Sequence, residues 1–173
     1  MTVIEKSIAL VGLMGVGKTS IGKRLAKRLG MKFVDIDDAI VKDIGQSITW
    51  IFGNLGEEEF RKIEKRVIAE EMAKSPQVIA TGGGAFINDD TRALIKSDAI
   101  SIWLDADIDI LVGRVSKKKT RPLLEKGDKR EILTDLMEQR NPYYEQADIR
   151  VESTNISHGK IVSKIISAIE KYE

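Results

Sequence analysis

Eight residues, Gly12-Leu-Met-Gly-Val-Gly-Lys-Thr19, restrict this chain more than any other part of it. They fit G-x-x-x-x-G-K-S/T, a pattern that carries meaning when it joins a strand to a helix. Before them, Ser7 to Val11 is a short apolar run suited to a strand buried on both faces of a parallel sheet. After them, Ile21, Leu25 and Leu29 recur at helical spacing, with Lys23, Arg24, Lys27 and Arg28 around the outside and Gly30 as the stop. Gly12, Gly15 and Gly17 permit positive φ, so successive N–H groups curl inward toward an anion. Lys18 supplies a point charge for β and γ phosphates, Thr19 a hydroxyl for magnesium, and the helix start a positive dipole end. The expected nucleotide contacts are Gly15, Val16, Gly17, Lys18, Thr19 and Ser20. The plainer alternative is a tight glycine turn beside a surface lysine.

Strand and helix signals continue to alternate downstream. Lys32 to Val34 reads as strand, Asp38 to Ile44 as helix, and Glu57 to Lys74 as a long helix carrying Phe60, Ile63, Val67 and Met72. Val78 to Ala80 and Ile100 to Leu104 read as buried strands, and Asp107 to Val115 and Arg130 to Gln139 as helices. Ile149 to Val151 is a last strand, and Ser157 caps a last helix bearing Ile161, Ile165 and Ile169. Five strands alternating with helices predict a three-layer α/β sandwich around a five-stranded parallel sheet, formed by residues 1–173 as one domain. Ser116 to Lys129 breaks the alternation with six basic residues, Arg121 among them, and is expected to be a mobile surface loop.

Many proteins with such a loop hold magnesium through an aspartate closing a second apolar strand. Here Val78-Ile-Ala-Thr81 runs instead into Gly82-Gly83-Gly84. The metal needs another carboxylate, and Lys32 to Val34 delivers Asp35 and Asp37, on one face of an extended chain or close together around its end. Two carboxylates at the C-terminal edge of a parallel sheet suit two tasks, one positioning magnesium and one accepting a hydroxyl proton. The alternative is structural, with Asp37 or Asp38 capping the next helix.

Composition narrows the classes. A net charge of +1 over 173 residues gives no global field for nucleic acid or anionic lipid. No cysteine and a single histidine, His158, rule out disulfides, thiolate metal sites and histidine-rich metal sites. The N-terminal apolar stretch is too short to span a bilayer and lacks a cleavage site, so a cytoplasmic protein is expected.

Six marks together resemble the shikimate kinases, small relatives of the nucleoside monophosphate kinases. They are Gly12 to Thr19, Asp35-Ile-Asp37, Phe52-Gly-Asn-Leu-Gly-Glu-Glu-Glu-Phe-Arg61, Gly82 to Gly84, Arg121-Pro-Leu-Leu124 and Arg140-Asn-Pro-Tyr-Tyr144, spread over nearly the whole chain. The resemblance implies ATP-dependent phosphorylation of the shikimate 3-hydroxyl, a step toward chorismate and the aromatic amino acids, with Mg2+ as cofactor. It implies that Asp37 holds the acceptor hydroxyls and acts as base, that Arg61 and Arg140 clamp the carboxylate, and that Gly82, Gly83 and Gly84 line the acceptor site. Asp35 would position magnesium with Thr19, Arg121 would sit on a mobile lid of about residues 116–129 and close on the phosphates beside Lys18, and residues 35–62 would form the acceptor-binding helical region. Partners would be shikimate and ATP, with no nucleic acid and no membrane, and the enzyme would be a monomer. A small ring with one carboxylate and several hydroxyls calls for forked guanidinium groups and an acid.

Plain readings compete. Arg61 lies in a helix rich in i, i+4 ion pairs and could be simply solvated, Arg140 could answer a helix C-terminus ended by Asn141-Pro142, and a lysine-rich loop can be merely wet. Another small-molecule or nucleotide kinase on the same fold, and a nucleotide-binding regulator without transfer activity, are the rival functions. No Asn-Lys-x-Asp motif is present to read guanine, so ATP is the expected donor.

Overall fold

The computed structural model describes residues 3–74, 76–117 and 127–173. Five parallel strands form one sheet in the order β2-β3-β1-β4-β5, with β1 at Ser7–Val11, β2 at Lys32–Asp35, β3 at Gln77–Ala80, β4 at Ala99–Asp105 and β5 at Ile149–Glu152. The helices are α1 (Lys18–Leu29), α2 (Ile36–Ile44), α3 (Ile48–Met72), α4 (Asp89–Asp98), α5 (Ile108–Val115), α6 (Lys129–Tyr144) and α7 (His158–Tyr172). A 3-10 turn, Ala85–Ile87, precedes α4.

Every residue of β1 and β3 is buried, so helices cover both faces of the sheet, as continuous apolar strands require. Ile8, Leu10, Ile79 and Ile102 are fully enclosed, and burying each aliphatic side chain of this size contributes about 1.5–3 kcal/mol. At the edge, β5 alternates between buried Ile149 and Val151 and exposed Arg150 and Glu152. The central register sets Leu10 beside Ala80 and Ala80 beside Asp35, which brings the ends of β1, β3 and β2 level. Among the described residues, no helix is long and apolar enough to cross a membrane.

Several boundaries differ from the expectation, each for a local reason. Asp35 closes β2 and itself caps α2, accepting from Asp37 N and Asp38 N, so the helix starts at Ile36 and neither Asp37 nor Asp38 is the cap. Asp37 therefore sits in a helical first turn, not on an extended strand with Asp35. Helix α3 begins at Ile48 under a Ser47 cap and bends at Gly56 (φ 83°), whose break hid the first limb in the sequence. Phe52 and Phe60 stack across the bend with centroids 4.5 Å apart. Helix α6 continues through Asn141-Pro142 to Tyr144, because a proline in the last turn removes a single N–H that buried Tyr144 helps offset. Arg140 thus projects from within a helix rather than answering its end. Helix α4 and the turn before it were not foreseen. Most of the expected lid, including Arg121, lies outside the described residues.

Candidate active site

A cleft of about 350 Å³ opens at the C-terminal edge of the sheet, lined by Lys18, Thr19, Asp35, Asp37 and Gly83 among others. Its donor end is the loop between β1 and α1. Gly12, Gly15 and Gly17 take φ of 139°, 80° and 99°, the region open to glycine at little cost. Space adds a second constraint, since a Cβ on Gly12 would come within 2.7 Å of the Leu104 carbonyl oxygen and one on Gly15 within 2.9 Å of Val115 Cγ1. Lys18 Nζ donates to the carbonyls of Gly12 (2.6 Å) and Leu13 (2.9 Å), folding its ammonium back over the loop. Arg114, from α5, braces the far side by donating to the Val16 carbonyl at 2.9 Å. No local sequence signal marks Arg114 as a brace, because its partner is distant in the chain. Val16 is buried, while Ser20 lines the cleft beside Thr19.

Thr19 Oγ1 donates to Asp35 Oδ2 at 2.6 Å, so two oxygens from different elements meet at the cleft floor. Asp35 Oδ1 meanwhile accepts from Asp37 N at 2.9 Å, which fixes the carboxylate and the turn that carries Asp37. Two oxygens fit a cation that binds through one or two protein ligands and otherwise keeps water and phosphate oxygens. Among the described residues, no cluster of three or more acidic, histidine or cysteine side chains offers an all-protein cage.

The end expected to take the acceptor is built over Gly82, Gly83 and Gly84, none of which has positive φ. These glycines answer crowding. A Cβ on Gly82 would lie 2.6 Å from Glu64 Oε2 and 3.4 Å from Asp37 Oδ1, one on Gly83 3.1 Å from Arg140 Nη1, and one on Gly84 would overlap the Arg61 guanidinium. The Gly83 position is also 3.6 Å from the Met14 amide nitrogen, so this floor adjoins the phosphate loop. Tyr144, one helical turn after Arg140, donates its hydroxyl to the Gly83 carbonyl and pins α6 to the floor. Burial pushes the Tyr144 phenol up to about 12, keeping it a donor at neutral pH.

Arg61 is oriented rather than free in solvent. Its Nη1 donates to Glu64 Oε1 at 2.8 Å, its Nη2 lies 3.5 Å from Glu57, and its guanidinium sits 5.2 Å from the Phe60 ring centroid. Glu64 is the residue that sequence reasoning missed. It is 2% exposed on the buried stripe of α3 with Phe60, Ile63, Val67 and Ile68, and its Oε2 has no hydrogen-bond partner among the described residues. Burial raises its carboxyl above the usual range, against the lowering effect of Arg61. A charged residue on an apolar stripe, three positions after a candidate arginine, was the available signal. His158 also faces the cleft, and burial followed by the charges of Arg24 and Arg114 holds its imidazole below the ordinary value.

Residues 14–170 match the family model described as shikimate kinase. The chain belongs to the shikimate kinase family. It is 48% identical to a shikimate kinase of Caulobacter vibrioides over 96% of this chain and 83% of that one. With a shikimate kinase of Novosphingobium aromaticivorans it shares 46% identity over 98% and 90% of the two chains. Among solved structures, the shikimate kinase of Acinetobacter baumannii in complex with shikimate superposes with a TM-score of 0.93 at 34% identity, covering 97% of this chain and 94% of that one. A gluconokinase from Sinorhizobium meliloti, at 17% identity and a TM-score of 0.68, shares the fold. Membership makes the chain a kinase that transfers phosphate from ATP to shikimate.

Proposed function

We propose that this chain phosphorylates the 3-hydroxyl of shikimate with the following division of labour. The observation that carries it is the convergence of Arg61, Arg140 and Asp37 on one glycine floor that abuts the phosphate loop. Two guanidinium groups receive a carboxylate in forked geometry, and Asp37 accepts from the ring hydroxyls and takes the proton of the attacking one. Gly82, Gly83 and Gly84 leave room for the ring. The amides of Gly15 to Ser20 and the Lys18 ammonium hold the ATP phosphates in line with that hydroxyl, so the gain comes from positioning and charge stabilisation.

Thr19 and Asp35 fit a Mg2+ ion held partly through water. Those two residues would hold the ion, whose chemistry there would be to offset the negative charge of the ATP phosphates. Arg121 would add charge over the transferring group, on a lid that excludes water. We assign the enzyme to the cytoplasm, where ATP is abundant, and take it as a monomer because one chain supplies the whole constellation.

The test is ADP release with shikimate, gluconate and nucleoside monophosphates as acceptors. Turnover with shikimate alone is expected, and turnover with another acceptor but not shikimate would overturn the assignment.

A further inference from the structure

Glu64 is an anomaly that clamping a carboxylate does not explain. Arg61 needs no permanent carboxylate partner if its task is to receive one from the substrate, yet Glu64 already occupies Nη1 at 2.8 Å. One Glu64 oxygen is thus engaged and the other, Oε2, is buried without a hydrogen-bond partner among the described residues. That oxygen and Asp37 Oδ1 approach the same point, 2.6 and 3.4 Å from where a Gly82 Cβ would be. Glu64 is buried while Asp37 is exposed to the cleft, and the nearby Asp37 charge opposes ionisation of Glu64.

We propose that Glu64 is an exchangeable counter-charge for Arg61: when the acceptor carboxylate engages the guanidinium, Glu64 takes up a proton from solvent on Oε2, so acceptor binding and proton binding are linked. This rests on the reading of Arg61 as a carboxylate clamp. Charged and titratable groups face Glu64 from three helices: Arg61 from α3, Asp37 from α2, and Arg140 and Tyr144 from α6. The glycine loop adds no charge. Without ligand, Arg61 and Arg140 favour the ionised carboxyl, whereas burial and Asp37 oppose it, and burial is the largest effect. A bound acceptor carboxylate adds negative charge beside both arginines, draws on the donors that favoured ionisation, and displaces water. All three changes push Glu64 toward its neutral form. A proton on Oε2 turns a stranded acceptor into a donor aimed toward Asp37, leaving a single carboxylate charge at the position where the hydroxyl proton is accepted. The proton returns to solvent when the product leaves, so none is consumed over a cycle.

Linkage sets the observable. Between the Glu64 titration points of the free and bound states, acceptor affinity falls by up to about tenfold per pH unit as pH rises. Calorimetric titration of the whole chain with shikimate, in buffers of different ionisation heat from about pH 5.5 to about 8.5, counts the protons taken up. We expect net uptake, approaching one at its maximum, that disappears in Glu64→Gln. We also expect uptake to be absent when wild-type protein is titrated with the analogue whose carboxylate is reduced to an alcohol, a control that needs no variant to fold. Shikimate binding without proton uptake across this range, or with equal uptake in Glu64→Gln, would overturn the proposal and leave the kinase assignment intact. No shikimate binding and no turnover would instead overturn the assignment, and the linkage with it.

Discussion

Thr19 and Asp35 share a 2.6 Å hydrogen bond that ties the first turn of α1 to the end of β2 across the width of β3. Asp35 also caps α2, so one side chain serves the fold and the proposed cation site. The two roles separate by substitution. Asp35→Ala should cost about 1 kcal/mol of stability through the lost cap and also raise the Mg2+ concentration needed for half-maximal activity. Asp35→Asn should keep most of the cap and show mainly the metal effect. Denaturant melts beside metal titrations of activity distinguish them.

Asp37 stands in the first turn of α2, exposed to the cleft and close to Gly82. Asp37→Asn should reduce turnover about 10²-fold or more, while ATP affinity stays at the wild-type level. Equal loss in both, by steady-state kinetics and nucleotide titration, would remove Asp37 from the acceptor side.

Glu64 gives a stability signature apart from catalysis. Its carboxyl titrates above the 4.5 of an unperturbed glutamate, so the folded chain holds this proton more tightly than the unfolded chain does. That contribution is full below pH 4.5 and is lost as pH rises through the folded-state value. Glu64→Gln should flatten this part of a melting-temperature series. Arg61→Ala, which removes the main counter-charge, should deepen the loss on the alkaline side.

The glycines divide into two kinds. A Cβ at Gly84 would meet only the mobile end of Arg61, whereas one at Gly12 would meet the Leu104 carbonyl in a backbone of φ 139°. Gly84→Ala should therefore raise the KM for shikimate with little change in melting temperature, while Gly12→Ala should lower melting temperature and activity together. Equal thermal damage from both would mean that the triple glycine serves the fold.

Arg121 carries the lid prediction. Arg121→Ala should melt like wild type and slow transfer about 10²-fold, as expected when one charge-stabilising donor is removed. Unchanged kinetics would place the residue outside the site.

The sheet was legible because β1, β3 and β4 are apolar runs bounded by turn signals, and the loop at Gly12 to Thr19 because its chemistry is local. Asp35 and Asp37 were legible as two acids at the end of a strand, whereas Arg61 and Arg140 stood out only through the resemblance; the fold sets the two acids on the cleft and the two arginines beside Gly84 and Gly83. Helical content was less legible where tertiary contacts override local signals, as at Gly56 inside α3 and Pro142 inside α6. Glu64 escaped because one acidic residue among many on α3 is distinguished only by burial. Arg114 escaped because its role is defined by a carbonyl 98 residues away.

That last distance bears on synthesis. The phosphate loop follows the first strand, but β1 is flanked by β3 and β4, and the loop is braced by Arg114 of α5. A nascent chain ending before Gln77 would contain the entire eight-residue pattern and neither neighbour of the strand that aims it. Nucleotide-binding competence thus awaits strands and a helix encoded downstream, through Val115 at the end of α5.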